Sequence, residues 1–524
     1  MPFPRHTPTI QHQRGAALMV MLVILVIGIA ALLVGSLNSS ALNNSRQQQT
    51  SAALAQARDA LIGRAAADAN APGSLPCPDS NDDGSAELMA GNDCPHYIGR
   101  LPWRTLGLTE LRDGSGEHLW YALSRNFRDD STAHINSDTQ GTLNITGTQT
   151  ASNLVAIVFS AGNPLSGQSR SPSNMAVCAT TSTTVAESLC ASNYLELSNA
   201  NPSPAAMPNV NYQTAATNTF NDQSIFIAHD QNMSVVEMRI AREVKSCLDN
   251  YAMGSASKYP WAAPVSDYYY QATNNTYFGR IPVWPMPADP NVASFLSALV
   301  NLQIALANYI TNNTSTTRST LNSTGSTLEN IAQTLANNQP SSPLLSSTTT
   351  SNAKTTGDKA QDLAQNPPQT TVTNVQNLLA SSLTSLQTDN GGMAPFWPSG
   401  CILASSTSYW SDWRNEVFYQ VANGYQPGSS ASSGVLLTIN GSGPYRATVV
   451  VARAAIGSTQ ISLRSSNPGT NPPTPYLEGI NPHTGSTPTT TFNTYSLSDP
   501  NYSTVNDLVL CLDGKGTNPS SVCP

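Results

Sequence analysis

Tyr97-Ile98-Gly99-Arg100-Leu101-Pro102 and Tyr277-Phe278-Gly279-Arg280-Ile281-Pro282 are one six-residue phrase written twice. Each follows a helical stretch. In the first copy the helix runs from Ala55 to Ala66 and leads to Leu75-Pro76. In the second, apolar positions Val236, Ile240, Val244, Cys247 and Tyr251 recur at three- and four-residue steps and lead to Tyr259-Pro260. The order continues in parallel beyond each phrase. Leu119-Trp120-Tyr121-Ala122-Leu123 answers Val417-Phe418-Tyr419-Gln420-Val421, and the strand-like Leu154 to Phe159 answers Ala447 to Ala452. Tyr194-Leu195-Glu196 answers Tyr476-Leu477-Glu478, and Asn221-Asp222 before Ile225 answers Asn506-Asp507 before Leu510. Seven landmarks in one order point to an internal duplication. Each copy is a helix followed by short strands rich in Val, Ile, Tyr and Phe, bounded by Gly, Asn and Pro turns. The fold class expected is α+β, a helix laid on an antiparallel sheet, built twice.

The second copy is interrupted over 288–390 by a segment rich in Ser, Thr, Asn and Gln. Phe295, Leu299, Leu302, Leu306 and Ile310 share one helical face; Val372, Val375, Leu379, Leu383 and Leu386 share another. Thr348-Thr349-Thr350-Ser351 and Pro367-Pro368 read as loop. An inserted helical hairpin with a flexible crossing is expected, because a long insertion in a surface loop costs little closure entropy. Disorder through its middle is the alternative. The domains expected are therefore 38–231 for the first copy with its stalk helix and 232–524 for the second, with 288–390 inserted in it.

Charged residues are only 11% of the 524 and the net charge is -8. Nucleic acid is not expected as a partner, since phosphate binding needs clustered Lys and Arg. Eight cysteines all lie downstream of an N-terminal apolar segment: Cys77, Cys94, Cys178, Cys190, Cys247, Cys401, Cys511 and Cys523. An even number on one side of a membrane anchor suits an oxidising compartment. Connectivity stays open at this level. Proximity favours Cys77–Cys94, Cys178–Cys190 and Cys511–Cys523, which leaves Cys247 with Cys401; free buried thiols or zinc are the rivals, and no paired spacing supports zinc.

No charged side chain occurs between Gly15 and Ser45, and 16–37 is almost wholly apolar. About 20 such residues cross a bilayer as a helix. Arg5 and Arg14 precede the run, so 1–15 is expected in the cytoplasm and the rest outside it. A secretory signal peptide is the rival, but its apolar core would span only about 7–15 residues. Leu54, Ala57, Leu61 and Ala65 continue a helical stripe past the membrane, with Gly73 and Pro76 as its stop.

Gln13-Arg14-Gly15-Ala16-Ala17-Leu18-Met19-Val20 resembles the processing site of type IV prepilins. The resemblance covers about the first sixty residues. It implies cleavage between Gly15 and Ala16 by a prepilin peptidase, methylation of the new N-terminus, and a pilin-like head on a long transmembrane and stalk helix that packs against other pilins. Most pilins carry Glu at the fifth mature position, where this chain has Val20. In that respect it looks like PilX-type minor pilins and K-type pseudopilins. The resemblance thus implies a minor pilin or pseudopilin that primes or tips a type IV pilus-like filament, with its head in the periplasm and then on a pilus or the cell surface. A signal-anchored periplasmic or surface adhesin that never enters a filament is the alternative.

The best ligand motif is Asp79-Ser80-Asn81-Asp82-Asp83-Gly84-Ser85-Ala86-Glu87, oxygen donors at alternate positions with Gly at the sixth. It makes Asp79, Asn81, Asp83, Glu87 and the Ser85 carbonyl candidate calcium ligands. The twelfth position is Ala90, not Glu, so Asp93 would have to complete the shell. The plainer reading is an Asx-turn-rich loop. No certain cofactor is implied. No nucleophile elbow, zinc helix or phosphate loop occurs, and no enzyme activity is expected. His96, His118, His134, His229 and His483 are scattered. Arg100 and Arg280 are expected to brace the turn they sit in or to pair with buried carboxylates. The seven tryptophans read as core before they read as a glycan platform.

Overall fold

The computed structural model describes residues 14–130, 134–178, 184–200 and 210–513, apart from short breaks at 216, 218, 268, 288–289, 339–344, 366, 368–369, 391, 405–408, 430–433, 435, 467–472 and 488–489. The chain is mixed α and β, in two compact units. The first comprises 1–64, 75–128 and 141–228; the second comprises 65–74, 129–140 and 229–524.

In the first unit, helix α1 (Arg14–Ala67) leads to strands β1 (Ile98–Arg100), β2 (Trp120–Leu123), β3 (Leu143–Gly147), β4 (Ala151–Leu154) and β5 (Ala156–Ser160). Then come β6 (Met175–Val177), β7 (Thr184–Ala186), β8 (Val210–Thr214) and β9 (Gln223–Ile227). The main sheet is antiparallel in the order β1-β2-β5-β9, and a smaller sheet has the order β4-β3-β8; β6 and β7 form a hairpin. One face of the main sheet offers Ile98, Trp120, Ala122, Ile157 and Phe159. They pack with Leu143, Ile145, Leu154 and Tyr212 of the smaller sheet into one buried cluster. Leu54, Ala57 and Leu61 of α1 are buried in turn. The helix stops at Ala67, earlier than the Gly73 and Pro76 signal implies, where the Asp68 carboxylate accepts from the amides of Asn70 and Ala71. The expected single strand from Leu154 to Phe159 breaks at Val155, so Leu154 serves the small sheet and Ala156 begins the large one.

The second unit begins with helix α2 (His229–Gly254), whose Val236, Ile240, Val244, Cys247 and Tyr251 are all buried. Its strands are β10 (Gln271–Ala272), β11 (Phe278–Arg280), β12 (Trp284–Pro287), β13 (Val417–Val421), β14 (Leu437–Ile439), β15 (Ser442–Tyr445), β16 (Ala447–Val451), β17 (Thr491–Phe492) and β18 (Leu508–Leu512). The main sheet runs β11-β13-β16-β18, the smaller one β15-β14-β17, and β10 pairs with β12. Register matches the first unit. Gly99 lies opposite Tyr121 and Gly279 opposite Tyr419; Tyr121 lies opposite Val158 and Tyr419 opposite Val449. Both small sheets combine one antiparallel and one parallel pairing. Helix α2 packs on β16 and β18.

The insertion departs from expectation. Among the described residues it holds four helices, not a hairpin: α3 (Pro290–Thr311), α4 (Ser315–Asn337), α5 (Ser347–Gln365) and α6 (Val372–Asp389). Thr348 to Ser351 is helical: the Ser346 hydroxyl accepts from the Thr349 amide at the helix start, and the Thr349 hydroxyl donates to Asp389 at 2.5 Å. Their apolar stripe is thin (Ala353, Ala360, Leu363), which is why the pattern reads as loop. Phe295, Leu299, Leu302, Leu306, Val375, Leu379 and Leu386 form the bundle core, whereas Ile310 is exposed. Among the described residues, Asn291–Thr311 is the one helix long and apolar enough to cross a membrane, at a mean hydropathy of 1.4. Its buried side chains are the core of this bundle.

Helix α7 (Trp410–Trp413) precedes β13, and α8 (Gly457–Ser466) lies between β16 and β17. Disulfides join Cys77 to Cys94, Cys178 to Cys190 and Cys247 to Cys401. Cys511 is disulfide-bonded as well; Cys523 lies outside the described residues.

Candidate functional site

The N-terminal segment comes first because the expected processing site lies there. Gly15 and Ala16 belong to α1, with their side chains outside the described residues, as are residues 1–13. From Met19 to Ile27, and again at Ile29, every side chain is at least half exposed. Val20 is among them, at 58%. Among the described residues, none covers these side chains.

The acidic loop is built differently from a coordination shell. Asp79 is fully buried; its Oδ1 accepts from the amides of Asn81 (3.1 Å) and Asp82 (2.7 Å), and its Oδ2 from that of Gly84 (2.7 Å). Burial raises its affinity for a proton, and the three amides work against that shift. Oδ1 of Asn81 accepts from the Asp83 amide, and Oδ1 of Asp83 from the Ser85 amide, the bond that lowers the Asp83 pKa. Glu87 takes the amide and hydroxyl of Ser80, and Asp93 is engaged by Tyr97 and Arg125. These oxygens turn toward the loop's own amides. Among the described residues, no three His, Cys, Asp or Glu side chains gather as a metal shell.

Beside the loop, His118 bridges two carboxylates that sequence reasoning did not connect to it. Its Nδ1 lies 2.7 Å from Asp82 and its Nε2 2.5 Å from Glu110. The hydrogen bond to Asp82 raises the His118 pKa above the ordinary 6.5. The other histidines do not converge. His134 meets Asp412, His229 meets Asp230, and His96 is half-buried with its pKa lowered by that burial. His483 packs edge-on against Phe278 and Phe492, where burial pushes it down to about 4.

The two repeated arginines have one environment. Arg100 stacks over Trp120 at 4.2 Å and Tyr194 at 4.0 Å; Arg280 stacks over Phe418 at 4.0 Å and Tyr476 at 4.5 Å. Both are buried, and burial lowers both pKa values. The aromatic partners come from strand two of each sheet and from the Tyr-Leu-Glu turn, so the phrase, the strand and the turn are bound at one point. Carboxylates stand nearby as expected: Asp82 lies 3.8 Å from Arg100, and Glu416, its own pKa raised by burial to about 8, acts on Arg280.

Behind each turn is a second repeated cluster, which the sequence marks only as landmarks. In the first unit Asp222 Oδ2 accepts from the Glu196 amide and from Asn199 Nδ2, both at 3.0 Å. In the second, Asp507 Oδ2 accepts from the Glu478 amide at 3.0 Å and from Asn481 Nδ2 at 2.9 Å. Asn199 and Asn481 each also exchange two bonds with the small sheet's parallel strand, at Gln213 and Asn493. Burial raises the pKa of Asp222, to about 8, and that of Asp507.

Each unit also has a groove between its helix and the outer strand of its main sheet. The first, about 490 Å³, is lined by Gln47, Ser51, Leu54, Thr214 and Gln223 to Ile225. The second, about 980 Å³, is lined by Val235, Met238, Arg242, Leu497 and Leu508 to Leu510 among others. Compared with protein-family models, curated proteins and solved structures, the chain matches none.

Proposed function

We propose that this chain is a minor pilin or pseudopilin, a structural subunit that primes or tips a type IV pilus-like filament. The observation that carries the reading is helix α1. Its first part bears an unbroken row of exposed apolar side chains, Met19 to Ile27, and its later part buries Leu54, Ala57 and Leu61 in a helix-on-sheet unit. A helix whose one half is solvated by lipid or neighbouring apolar helices, and whose other half is the spine of a head, suits an anchored filament subunit. Val20 stands where the usual Glu would neutralise a neighbour's amine, which favours a tip or priming position. In this reading residues 1–15 are a cytoplasmic leader removed by a prepilin peptidase. The helix rests in the inner membrane and packs against other pilins, and the disulfide-bonded units sit in the periplasm before display on a pilus or the cell surface. The role is structural, without catalysis.

Two measurements test it. Mass spectrometry of the mature protein is expected to begin at N-methylated Ala16, and Gly15→Leu is expected to leave the leader attached. Sheared filaments are expected to contain the chain. A mature product of normal size from the Gly15 variant overturns the processing step, and absence from filaments supports a plain anchored protein instead.

A further inference from the structure

We propose that each unit is held by a proton shared between two buried carboxyl groups, Asp222 with Glu196 and Asp507 with Glu478, forming a pH-sensitive clasp built twice into the chain. All four side chains are more than nine-tenths buried. In the first unit the two residues grip each other's backbone; in the second, Asp507 Oδ2 holds the Glu478 amide. Asp222 accepts from the Glu196 amide, while Glu196 Oε2 accepts from the amides of Asn221 and Asp222 at 3.1 Å. Within that frame burial, and then the charge of the neighbouring Glu, raises the pKa of each Asp. Oδ1 of Asp222, Oδ1 of Asp507 and Oε2 of Glu478 are buried without a hydrogen-bond partner. An ionised pair would leave acceptors facing each other in a desolvated space; a proton on the Asp Oδ1 turns one of them into a donor. That the same Asp atom is orphaned in both units argues that the proton belongs to the design of the repeat.

Other polar groups around the pairs leave room for one proton, not for two negative charges. In the first unit Gln168 donates to Glu196 Oε1 at 2.9 Å, and Arg170 reaches that glutamine while ion-paired to Glu117. In the second, Gln460 of α8 donates to Glu478 Oε1 at 2.8 Å, and Arg464 of α8 is bound to Asp138 and to the carbonyls of Arg453, Pro475 and Tyr476. Asn199, Asn221, Asn481 and Asn506 complete the surroundings. Each arginine is thus committed elsewhere. The clasp fixes the Tyr-Leu-Glu turn, and Tyr194 and Tyr476 of that turn close over Arg100 and Arg280.

The sign follows from linkage. The Asp is raised in the folded chain above its ordinary 3.8. The clasp's stability is therefore full below about pH 4 and is lost progressively as the unfolded chain ionises. The loss is complete once pH passes the folded value of about 8. The experiment uses the full chain in detergent. Infrared spectra of wild type are expected to show the carbonyl band of a protonated carboxyl at pH 6 that vanishes by pH 10. That band should lose intensity in Asp222→Asn or Asp507→Asn and lose more in the double variant, which keeps the share of the buried Glu416 carboxyl. Asn keeps a donor toward the Glu, so folding is retained, and the fall in melting temperature between pH 4 and pH 8 should be shallower in the double variant. Absence of any such band in wild type overturns the proposal even if a variant misfolds. An undiminished band in the double variant, or a melting temperature lowered by chelator at fixed pH, likewise overturns it, the last in favour of a bound cation.

Discussion

At the scale of single residues, the repeated phrase is readable but its reason is not. Gly99 and Gly279 look like turn glycines, yet neither needs a positive φ. A Cβ on Gly279 would meet the Ala263 carbonyl oxygen at 1.9 Å, and one on Gly99 the Asp79 oxygen at 2.4 Å, because an isolated strand bridge crosses each motif there. Gly279→Ala is therefore expected to destabilise the second unit by roughly 1–3 kcal/mol. Gly63→Ala, in α1 with nothing within 4 Å, should stabilise by up to about 1 kcal/mol. Chemical denaturation of both variants checks the contrast. Asp79 supplies a second case. The alternating oxygens that suggest calcium are the acceptors of Asx turns, a use that composition cannot separate from ligation. Asp79→Ala should cost about 2–3 kcal/mol by stranding three amides, while chelator leaves the wild-type melting curve in place. His118 makes the loop pH-sensitive with a definite sign. Its pKa is raised, so its contribution, about 1 kcal/mol at a partly exposed site, is present below pH 6.5 and lost as pH climbs through the folded value. Ring-proton NMR across pH 5 to 9 should show the raised midpoint.

At the scale of elements, strands and spine helices were legible because their patterns are strong. Val236, Ile240 and Val244 name the buried face of α2, and the Val-rich run marks β16. The insertion was half legible for the opposite reason. Helices α4 and α5 meet through Gly325 and Gly357, where a Cβ on Gly357 would lie 2.5 Å from the Gly325 carbonyl oxygen. Close contact through glycine, alanine and threonine leaves little apolar periodicity to read. The Cys247–Cys401 bridge spans a sequence separation of 154 that contains this whole bundle. Replacing both cysteines with Ala frees a long loop in the unfolded chain and should cost about 4 kcal/mol. Hydrogen exchange should then rise in α2 while the α4–α5 contact keeps its protection, since the bundle has its own core. Equal loss of protection in both would mean that the bundle depends on the bridge.

At the scale of the whole molecule, the duplication has a thermodynamic consequence. Each unit owns a four-stranded sheet, a smaller sheet and a spine helix, and long-range pairing closes within each. Ile157 is fully buried in the first and Ile240 in the second. Truncating either to Ala removes buried methyl groups and leaves a cavity, at a cost of roughly 2–5 kcal/mol. Units with separate cores need not unfold together, so a single transition is not assured for this chain. Ile157→Ala is expected to move one denaturation step and Ile240→Ala another, which tryptophan fluorescence would track through aromatic surroundings and far-UV dichroism through backbone structure. Trp120 reports on the first sheet, and Trp413 on the second unit. If both substitutions shift one common transition by the same amount, the two copies fold as one cooperative body, and the repeat would be a shared core rather than two separate modules.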